Sequence, residues 1–420
     1  MNTGFIEFGL LGEKLGHSFS KEIHALLGDY SYELIEVPRE ELRSFISERK
    51  FSGLNVTIPY KETLIPYLDF LDDKARKIGA VNTIVNRGGK LYGYNTDFYG
   101  MEMLFAHAKI DPAGKTVAIL GTGGTSKTAF AVMEHLEAKE IFKVSRRGAD
   151  GALTYEGLYE AADKVDIIIN TTPAGMFPDI DGCAVDLSKF KNLSGVIDAV
   201  YNPLRTSLII EAKKRGIRAE GGLYMLVSQA ALAAELFCGE RIGLLKTEKV
   251  YRRILRDKEN IVLIGMPASG KTTVGRILEK KLRRKAYDSD KLIEKAEKRT
   301  ISDIFQSEGE ATFRNMEADM IRSLSEKNGI VISTGGGAPL REENVDNLKK
   351  NGRLYFIDRP LGQLMPTKSR PLASSAEAIE RRFNERYGIY SLAADVRIDA
   401  DTSAPMTADK IIKELYGVRR

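Results

Sequence analysis

An α/β protein built on parallel sheets is what this sequence predicts, and three observations carry that expectation. Short apolar runs alternate with amphipathic stretches almost from end to end, among them Phe5–Leu11, Val117–Leu120, Asp166–Asn170, Gly195–Val200, Ile261–Ile264, Ile330–Ile332 and Leu354–Ile357. Most are continuous rather than alternating, as strands buried on both faces are. Two of them run into glycine-rich turns that open helices, Gly121–Lys127 and Gly265–Thr272. These turns stand too far apart to serve one nucleotide unit, so each heads its own strand–helix unit.

Taken in order, one segment departs from the pattern. Ala80–Asn95 (AVNTIVNRGGKLYGYN) alternates with period two about Gly88-Gly89, which predicts a hairpin. Leu244–Glu259 (LLKTEKVYRRILRDKE) is strongly charged and reads either as a connector or as the last helix of the first half. The length, 420 residues, calls for two or three domains. A hydrophobic share of 43% with 29% charged residues excludes a disordered or collagenous chain. The net charge of +5 is too small to argue for nucleic acid, and no apolar run is long enough to cross a membrane. The first twenty residues lack the features of a secretion signal, and the only two cysteines, Cys183 and Cys238, form no framework or metal cluster. A reducing cytoplasm is the expected location.

The stretch TVAILGTGGTSKTAFAVM sets a buried strand before Gly121-Thr122-Gly123-Gly124 and a helix after it. There, backbone N–H groups and a helix N-terminus can face a pyrophosphate. Ser126 takes the slot of a third glycine, so the fingerprint is incomplete, and an ordinary glycine turn is its plain alternative. The next strand, EIFKV, ends in Ser145-Arg146-Arg147 without the acid that would hold ribose hydroxyls. Two arginines suit a 2′-phosphate, which favours NADP(H); the plain alternative is a solvated basic turn. In the second half, NIVLIGMPASGKTTVGRIL holds Gly265, Ala268, Ser269, Gly270, Lys271, Thr272 and Thr273 in a complete phosphate-loop pattern between strand and helix. Its amides would cradle the phosphates of ATP, Lys271 would reach the terminal ones, and Thr272 would ligate Mg2+.

Around the first turn lie HSFS (17–20), NVTIPYK (55–61), AVNT (80–83), YNTD (94–97), NTTPAGM (170–176), YNP (201–203) and GGLYMLVSQA (221–230). Each alone could be a capped turn. In this order and spacing, residues 1–243 resemble shikimate dehydrogenase. The resemblance implies a substrate domain discontinuous in sequence, 1–98 plus 223–243, and a Rossmann-like NADP-binding domain at 99–222; the charged stretch that follows is then expected as a linker, 244–258. Lys61 and Asp97 would be the catalytic pair, with the proton donor between them left open. Ser18, Ser20, Asn55, Thr57, Asn82, Tyr201 and Gln229 would hold the substrate, and Gly222 and Met225 would join the cofactor site. His17 and His24 are read as helix or supporting residues rather than acid–base groups.

In the second half, Asp288-Ser-Asp290, Phe313-Arg314 with Glu317, Ser333–Ala338, Arg370-Pro-Leu and Arg386–Tyr390 make residues 259–420 resemble shikimate kinase. The whole chain then reads as a Rossmann-type α/β dehydrogenase fused to a phosphate-loop α/β kinase domain with a parallel sheet. By that resemblance Asp288 belongs with Mg2+, Asp290 contacts the acceptor hydroxyl, and Arg314 and Arg386 clamp its carboxylate. Gly336 and Gly337 would give backbone contacts, and Arg370 would sit on a lid. Two departures bear on lid closure. No arginine lies between Arg359 and Arg370, where Lys368 is the available cation, and Gly388 stands where proline is usual. The implied activity is reduction of 3-dehydroshikimate to shikimate and its phosphorylation by ATP. Two alternatives stay open: a kinase-like half that only binds and regulates, and a quinate/shikimate dehydrogenase. Oligomeric state is left open.

Overall fold

The computed structural model describes residues 4–16, 18–148, 151–364 and 376–417. They form two compact units, residues 1–255 and 256–420.

The first unit holds two sheets. One is built from β1 (Ile6–Gly12), β2 (Tyr32–Glu36), β3 (Phe51–Val56), β4 (Phe70–Leu71), β5 (Thr83–Arg87) and β6 (Lys90–Tyr94), in the order β2-β1-β3-β5-β6-β4. It is mixed: β1 pairs in parallel with β2 and β3, whereas β5 runs antiparallel to both β3 and β6. The β5–β6 turn is the expected hairpin. Gly88 (φ 60°) and Gly89 (φ 81°) are both left-handed, the pair of conformations that a tight hairpin turn requires and glycine supplies without a steric cost.

The second sheet comprises β7 (Thr116–Leu120), β8 (Glu140–Val144), β9 (Ile167–Asn170), β10 (Gly195–Asp198) and β11 (Arg218–Glu220), in the order β11-β10-β9-β7-β8. All its pairs are parallel. The continuous apolar runs of β7, β9 and β10 are completely buried. Helix Leu223–Cys238, from beyond this sheet in sequence, packs on helix Thr96–Ala108 and on helix Ser20–Leu27. The chain therefore returns to its first hundred residues after completing the parallel sheet.

At 244–258, expected from its charge as a linker or as the last helix of the first half, the structure has one helix, Leu244–Lys258. Its buried Val250, Tyr251 and Ile254 join the core of the first unit with Leu104, Phe105 and Val227. Tyr251 meets the Tyr224 and His107 rings edge-on at 4.9 and 5.1 Å. A narrow apolar stripe on a charged helix accounts for both readings: charge dominates the composition, and the stripe decides the packing.

The second unit is a single parallel sheet of β12 (Asn260–Ile264), β13 (Ala286–Asp288), β14 (Val331–Ser333), β15 (Gly352–Asp358) and β16 (Val396–Asp399), in the order β13-β14-β12-β15-β16. Helices cover both faces over two apolar clusters, one around Val262, Ile264 and Phe356 and one around Ile261, Leu263 and Tyr355. Among the described residues no helix is long and apolar enough to cross a membrane.

Candidate functional site

In the first unit the site grows from the ends of strands. β3 ends beside Asn55, and its register places Asn55 opposite Thr83 of β5. Asn55 Nδ2 donates to Thr83 Oγ1 at 3.1 Å, while the Tyr32 hydroxyl donates to Asn55 Oδ1 at 2.8 Å. Asn82 comes next. Its Nδ2 donates to Thr96 Oγ1 (2.9 Å) and to Gln229 Oε1 (3.4 Å), and its Oδ1 accepts from the Thr96 amide (2.6 Å). Asn95 caps the helix that begins at Thr96, accepting from the Phe98 amide at 3.1 Å. That cap fixes Asp97 in the first turn.

Asp97 Oδ2 accepts from Lys61 Nζ at 2.6 Å. Lys61 belongs to the short helix Tyr60–Thr63, which starts where the Tyr60 amide bonds to the Thr57 carbonyl. A Cβ placed on Gly124 would lie 3.7 Å from Lys61 Cδ. Thus Asn55, Asn82 and Gln229 form one hydrogen-bonded group and Lys61 and Asp97 another, joined through the adjacent residues Thr96 and Asp97, with Gly124 close to the lysine stem and Thr57 at the foot of its helix. Ser18, Ser20 and Tyr201 form a neighbouring group. Ser18 Oγ accepts from the Ser20 amide at 3.2 Å, Ser18 also bonds to the Tyr201 hydroxyl, and the Phe19 and Tyr201 rings are 5.3 Å apart. Burial raises the Tyr201 pKa and the Ser18 bond opposes that shift. His24 is a buried helix residue stacked on Tyr32 at 3.8 Å; burial lowers its pKa to about 3, so it is neutral. His17 lies outside the described residues.

The glycine turn fits a dinucleotide. Gly121 has φ 109°, and a Cβ there would come 2.7 Å from Thr171 Oγ1. Ser126, in the slot of the third glycine, closes the turn by donating to the Gly121 carbonyl at 2.7 Å. Thr122 and Gly123 are exposed, and space is open above Gly123. After β8, Ser145 Oγ accepts from the Gly148 amide at 3.1 Å, which leaves Arg146 and Arg147 exposed on the turn. Gly222 begins the helix carrying Met225 and packs so tightly against the Ala199 carbonyl that no Cβ would fit.

In the second unit the phosphate loop is similarly shaped. Gly265 (φ 143°), Ala268 (φ 64°) and Gly270 (φ 92°) are left-handed, and a Cβ on Gly265 would meet the Ile357 carbonyl at 2.8 Å. Ser269 is buried between them. Lys271 Nζ donates to the Gly265 and Met266 carbonyls at 2.8 and 2.9 Å, so its charge is held inside the loop. Thr272 Oγ1 donates to Asp288 Oδ2 at 2.6 Å, and Thr273 is exposed one residue on. Among the described residues no three His, Cys, Asp or Glu side chains form a metal cluster. A hydroxyl and one carboxylate beside a phosphate loop nonetheless match the way Mg2+ is held, with phosphate and water supplying its other oxygens.

The acceptor side is made by Gly335–Gly337. A Cβ on Gly335 would stand 2.5 Å from both Asp290 Oδ1 and Glu317 Oε1, and one on Gly337 would overlap the Arg314 guanidinium. Arg314 Nη1 donates to Glu317 Oε2 at 2.8 Å. Burial raises the Glu317 pKa while Arg314 draws it down. The Gly336 carbonyl accepts from Arg386 Nη1 (3.3 Å) and from the Tyr390 hydroxyl (2.5 Å). Gly388 lies within helix Ala376–Ala393 and, unlike proline, retains an amide for it. Arg370 and Lys368 lie outside the described residues.

Several site residues carry no role in the sequence reading. Tyr32, Thr83 and Thr96 tie the asparagines together, and Glu317 anchors Arg314. Thr83 and Thr96 sit inside the quoted motifs, and Glu317 is one helical turn from Arg314, so spacing could have pointed to all three. Nothing in the sequence marks Tyr32, which reaches Asn55 from the edge strand β2, one strand beyond β1.

A family model described as shikimate dehydrogenase substrate binding domain matches residues 10–84, and one described as shikimate kinase matches residues 267–416. A shikimate dehydrogenase (NADP(+)) of Clostridium perfringens is 37% identical over 264 residues, spanning 59% of this chain and 97% of the relative. The crystal structure of shikimate dehydrogenase 1 from Peptoclostridium difficile matches with a TM-score of 0.55 at 37% identity, covering 60% of this chain and 98% of its own. A shikimate 5-dehydrogenase of Thermus thermophilus, solved in complex with NADP(H) and shikimate, gives 0.54 at 29% identity, with 59% and 99% coverage.

Proposed function

This chain belongs to the shikimate dehydrogenase family and carries a shikimate kinase domain in its second unit; from that premise we propose that one polypeptide reduces 3-dehydroshikimate to shikimate and phosphorylates shikimate to shikimate 3-phosphate. When bound, NADPH supplies the hydride and ATP with magnesium supplies the phosphoryl group.

The observation that carries the reading is the position of Lys61, which bonds to Asp97 at 2.6 Å and lies against Gly124 of the dinucleotide turn. A ketone reduced there becomes an alkoxide that takes one proton from the Lys61–Asp97 pair. Asn55, Asn82 and Gln229 bind the ring hydroxyls, Ser18, Ser20 and Tyr201 the carboxylate end, and Thr57 completes the pocket. Gly121 to Gly124, Gly222 and Met225 hold the dinucleotide, while Ser145, Arg146 and Arg147 hold its 2′-phosphate.

In the second unit Asp290 receives the proton of the acceptor hydroxyl as its oxygen attacks phosphorus. Arg314 and Arg386 fix the carboxylate of the acceptor, with Gly336 and Gly337 lining its seat. Residues 265–273 hold ATP, Thr272 and Asp288 hold magnesium, and the charge of Arg370 stabilises the phosphoryl group in transfer.

The test is a two-step assay on one purified chain. Dehydroshikimate, NADPH and ATP–magnesium should yield shikimate 3-phosphate, identified by mass, with NADPH consumed and ADP released in equal amounts. Accumulation of shikimate without ADP release would reduce the second unit to a binding module. A faster initial rate on quinate than on shikimate, run in the oxidative direction, would move the first unit to another ring acid.

A further inference from the structure

Arg314 meets its acceptor already loaded with carboxylates. Nη1 donates to Glu317 Oε2 at 2.8 Å, while Nε and Nη2 both reach Glu310 Oε1, at 3.2 and 2.9 Å. The guanidinium has five N–H donors in one plane, and three are engaged here. The Nε–Nη2 edge is one on which a planar carboxylate sits with two parallel bonds, and Glu310 occupies it.

The two glutamates differ in burial. The side chain of Glu317 is 1% exposed and forms part of the wall, whereas that of Glu310 is 54% exposed. The helix is broken just before Glu310. Within Ile301–Ser325, Gly309 leaves the helix at φ 83° and ψ 171°, a conformation open to glycine and strained for other residues. On its near side Glu308 is held by Arg299, which also pairs with Glu297 at 3.3 Å. On its far side Glu310 projects to the surface. Other cations stand close by on helix Ala376–Ala393. Burial and Arg386 hold the Arg382 pKa below its ordinary value, with Glu385 and Glu310 acting in the opposite sense.

We infer that Glu310 is an internal competitor for the acceptor's carboxylate. It holds the Nε–Nη2 edge of Arg314, and a carboxylate substrate must displace it to bind. The Nε–Nη2 edge can hold one carboxylate at a time, so a substrate carboxylate takes it only as Glu310 departs. Glu317 is walled in, which leaves the half-exposed side chain of Glu310 to move. Glu310 thereby lowers the apparent affinity for shikimate and penalises ligands that cannot displace it. This inference rests on the reading of Arg314 as the carboxylate site of a shikimate kinase.

The test compares the full-length chain with its Glu310→Gln variant, which keeps the side chain's shape and removes its charge. With saturating ATP–magnesium, the KM for shikimate should fall roughly two- to fivefold, the range of a partly exposed ion pair. Calorimetric titration with shikimate should show the same gain independently of turnover. The neutral carboxamide of shikimate should bind both proteins equally. An unchanged or raised KM and dissociation constant in Glu310→Gln overturns the proposal, as does an equal gain for shikimate and its carboxamide. Failure of the kinase reading has a different signature: the unaltered chain would neither bind shikimate at this unit nor release ADP.

Discussion

Lys61 Nζ and Asp97 Oδ2 meet at 2.6 Å across 36 residues of chain. The lysine comes from the helical turn after β3, the aspartate from the capped first turn of the helix after β6, and their side chains are only 16% and 9% exposed. Such a pair is too enclosed to be read as a solvated surface bridge, and its neighbour Gly124 belongs to the nucleotide turn.

Removing the ammonium should therefore silence one reaction alone. Lys61→Ala is expected to lower the rate of dehydroshikimate reduction by about a hundredfold or more, the usual share of a positioned acid–base group. Shikimate-dependent ADP release should persist in the same preparation. Lys271→Ala should do the reverse, since its ammonium sits inside the phosphate loop. A folded single variant lacking both activities would contradict two separate sites.

In the proposed reading, the exposed turn after β8 sets the cofactor preference. Replacing Arg146 and Arg147 together by alanine should raise the KM for NADPH about tenfold or more, as expected for lost hydrogen bonds to a charged phosphate, and leave the KM for NADH nearly as it was. Parallel steady-state measurements with both cofactors decide this. An equal loss for the two would mean that the arginines do not read the 2′ position.

Gly337→Ala tests the seat of Arg314 in the kinase unit. Gly337 has φ −97° and ψ −11°, which alanine adopts freely, but a Cβ there would overlap the Arg314 guanidinium. The flexible side-chain end can move aside only by giving up its 2.8 Å bond to the buried Glu317, so the thermal midpoint should fall by several degrees. The KM for shikimate in the kinase reaction should rise about tenfold as Arg314 leaves its place. A lower midpoint with unchanged KM would refute this account.

Two buried groups of the first unit make opposite contributions to its pH stability. Burial lowers the His24 pKa from 6.5 to about 3, against an opposing bond from Asn55. Between those values only the unfolded chain carries the proton, so stability falls on acidification. Burial raises Asp198 from 3.8 to about 7, against hydrogen bonds from Thr206, Val200 and Asn170. Between those values only the folded chain keeps the proton, so stability falls as pH rises. Over their shared window, about pH 4 to 6.5, the two slopes oppose each other, each at most about 1.4 kcal/mol per pH unit. Asp198→Asn should leave a first unit that weakens towards acid, and His24→Phe one that weakens towards neutrality. Urea midpoints followed across that window report the sign, and parallel profiles for the two variants would exclude the mechanism.

How much could be read in advance follows from the range of the forces involved. The hairpin at Gly88-Gly89 was legible because two left-handed residues in succession leave few alternatives to glycine. Both nucleotide turns were legible for a related reason: Gly121 and Gly265 hold left-handed conformations where a Cβ would strike the neighbouring strand's end. Such local constraints are written in residue type and spacing. The helix at 244–258 was ambiguous because fifteen mostly charged residues hide a stripe of only a few buried ones.

By itself the sequence determined two strand–turn–helix units for phosphate-bearing ligands, their glycine conformations and the residue types around them. Only the tertiary structure decided which side chains meet. Asn82 reaches Gln229 across 147 residues, Gly124 comes to rest against Lys61, and Arg314 is shared between Glu317 and Glu310. Hydrogen bonds and ion pairs act over a few ångströms in space and are indifferent to distance along the chain, so their partners exist only once the cores have packed.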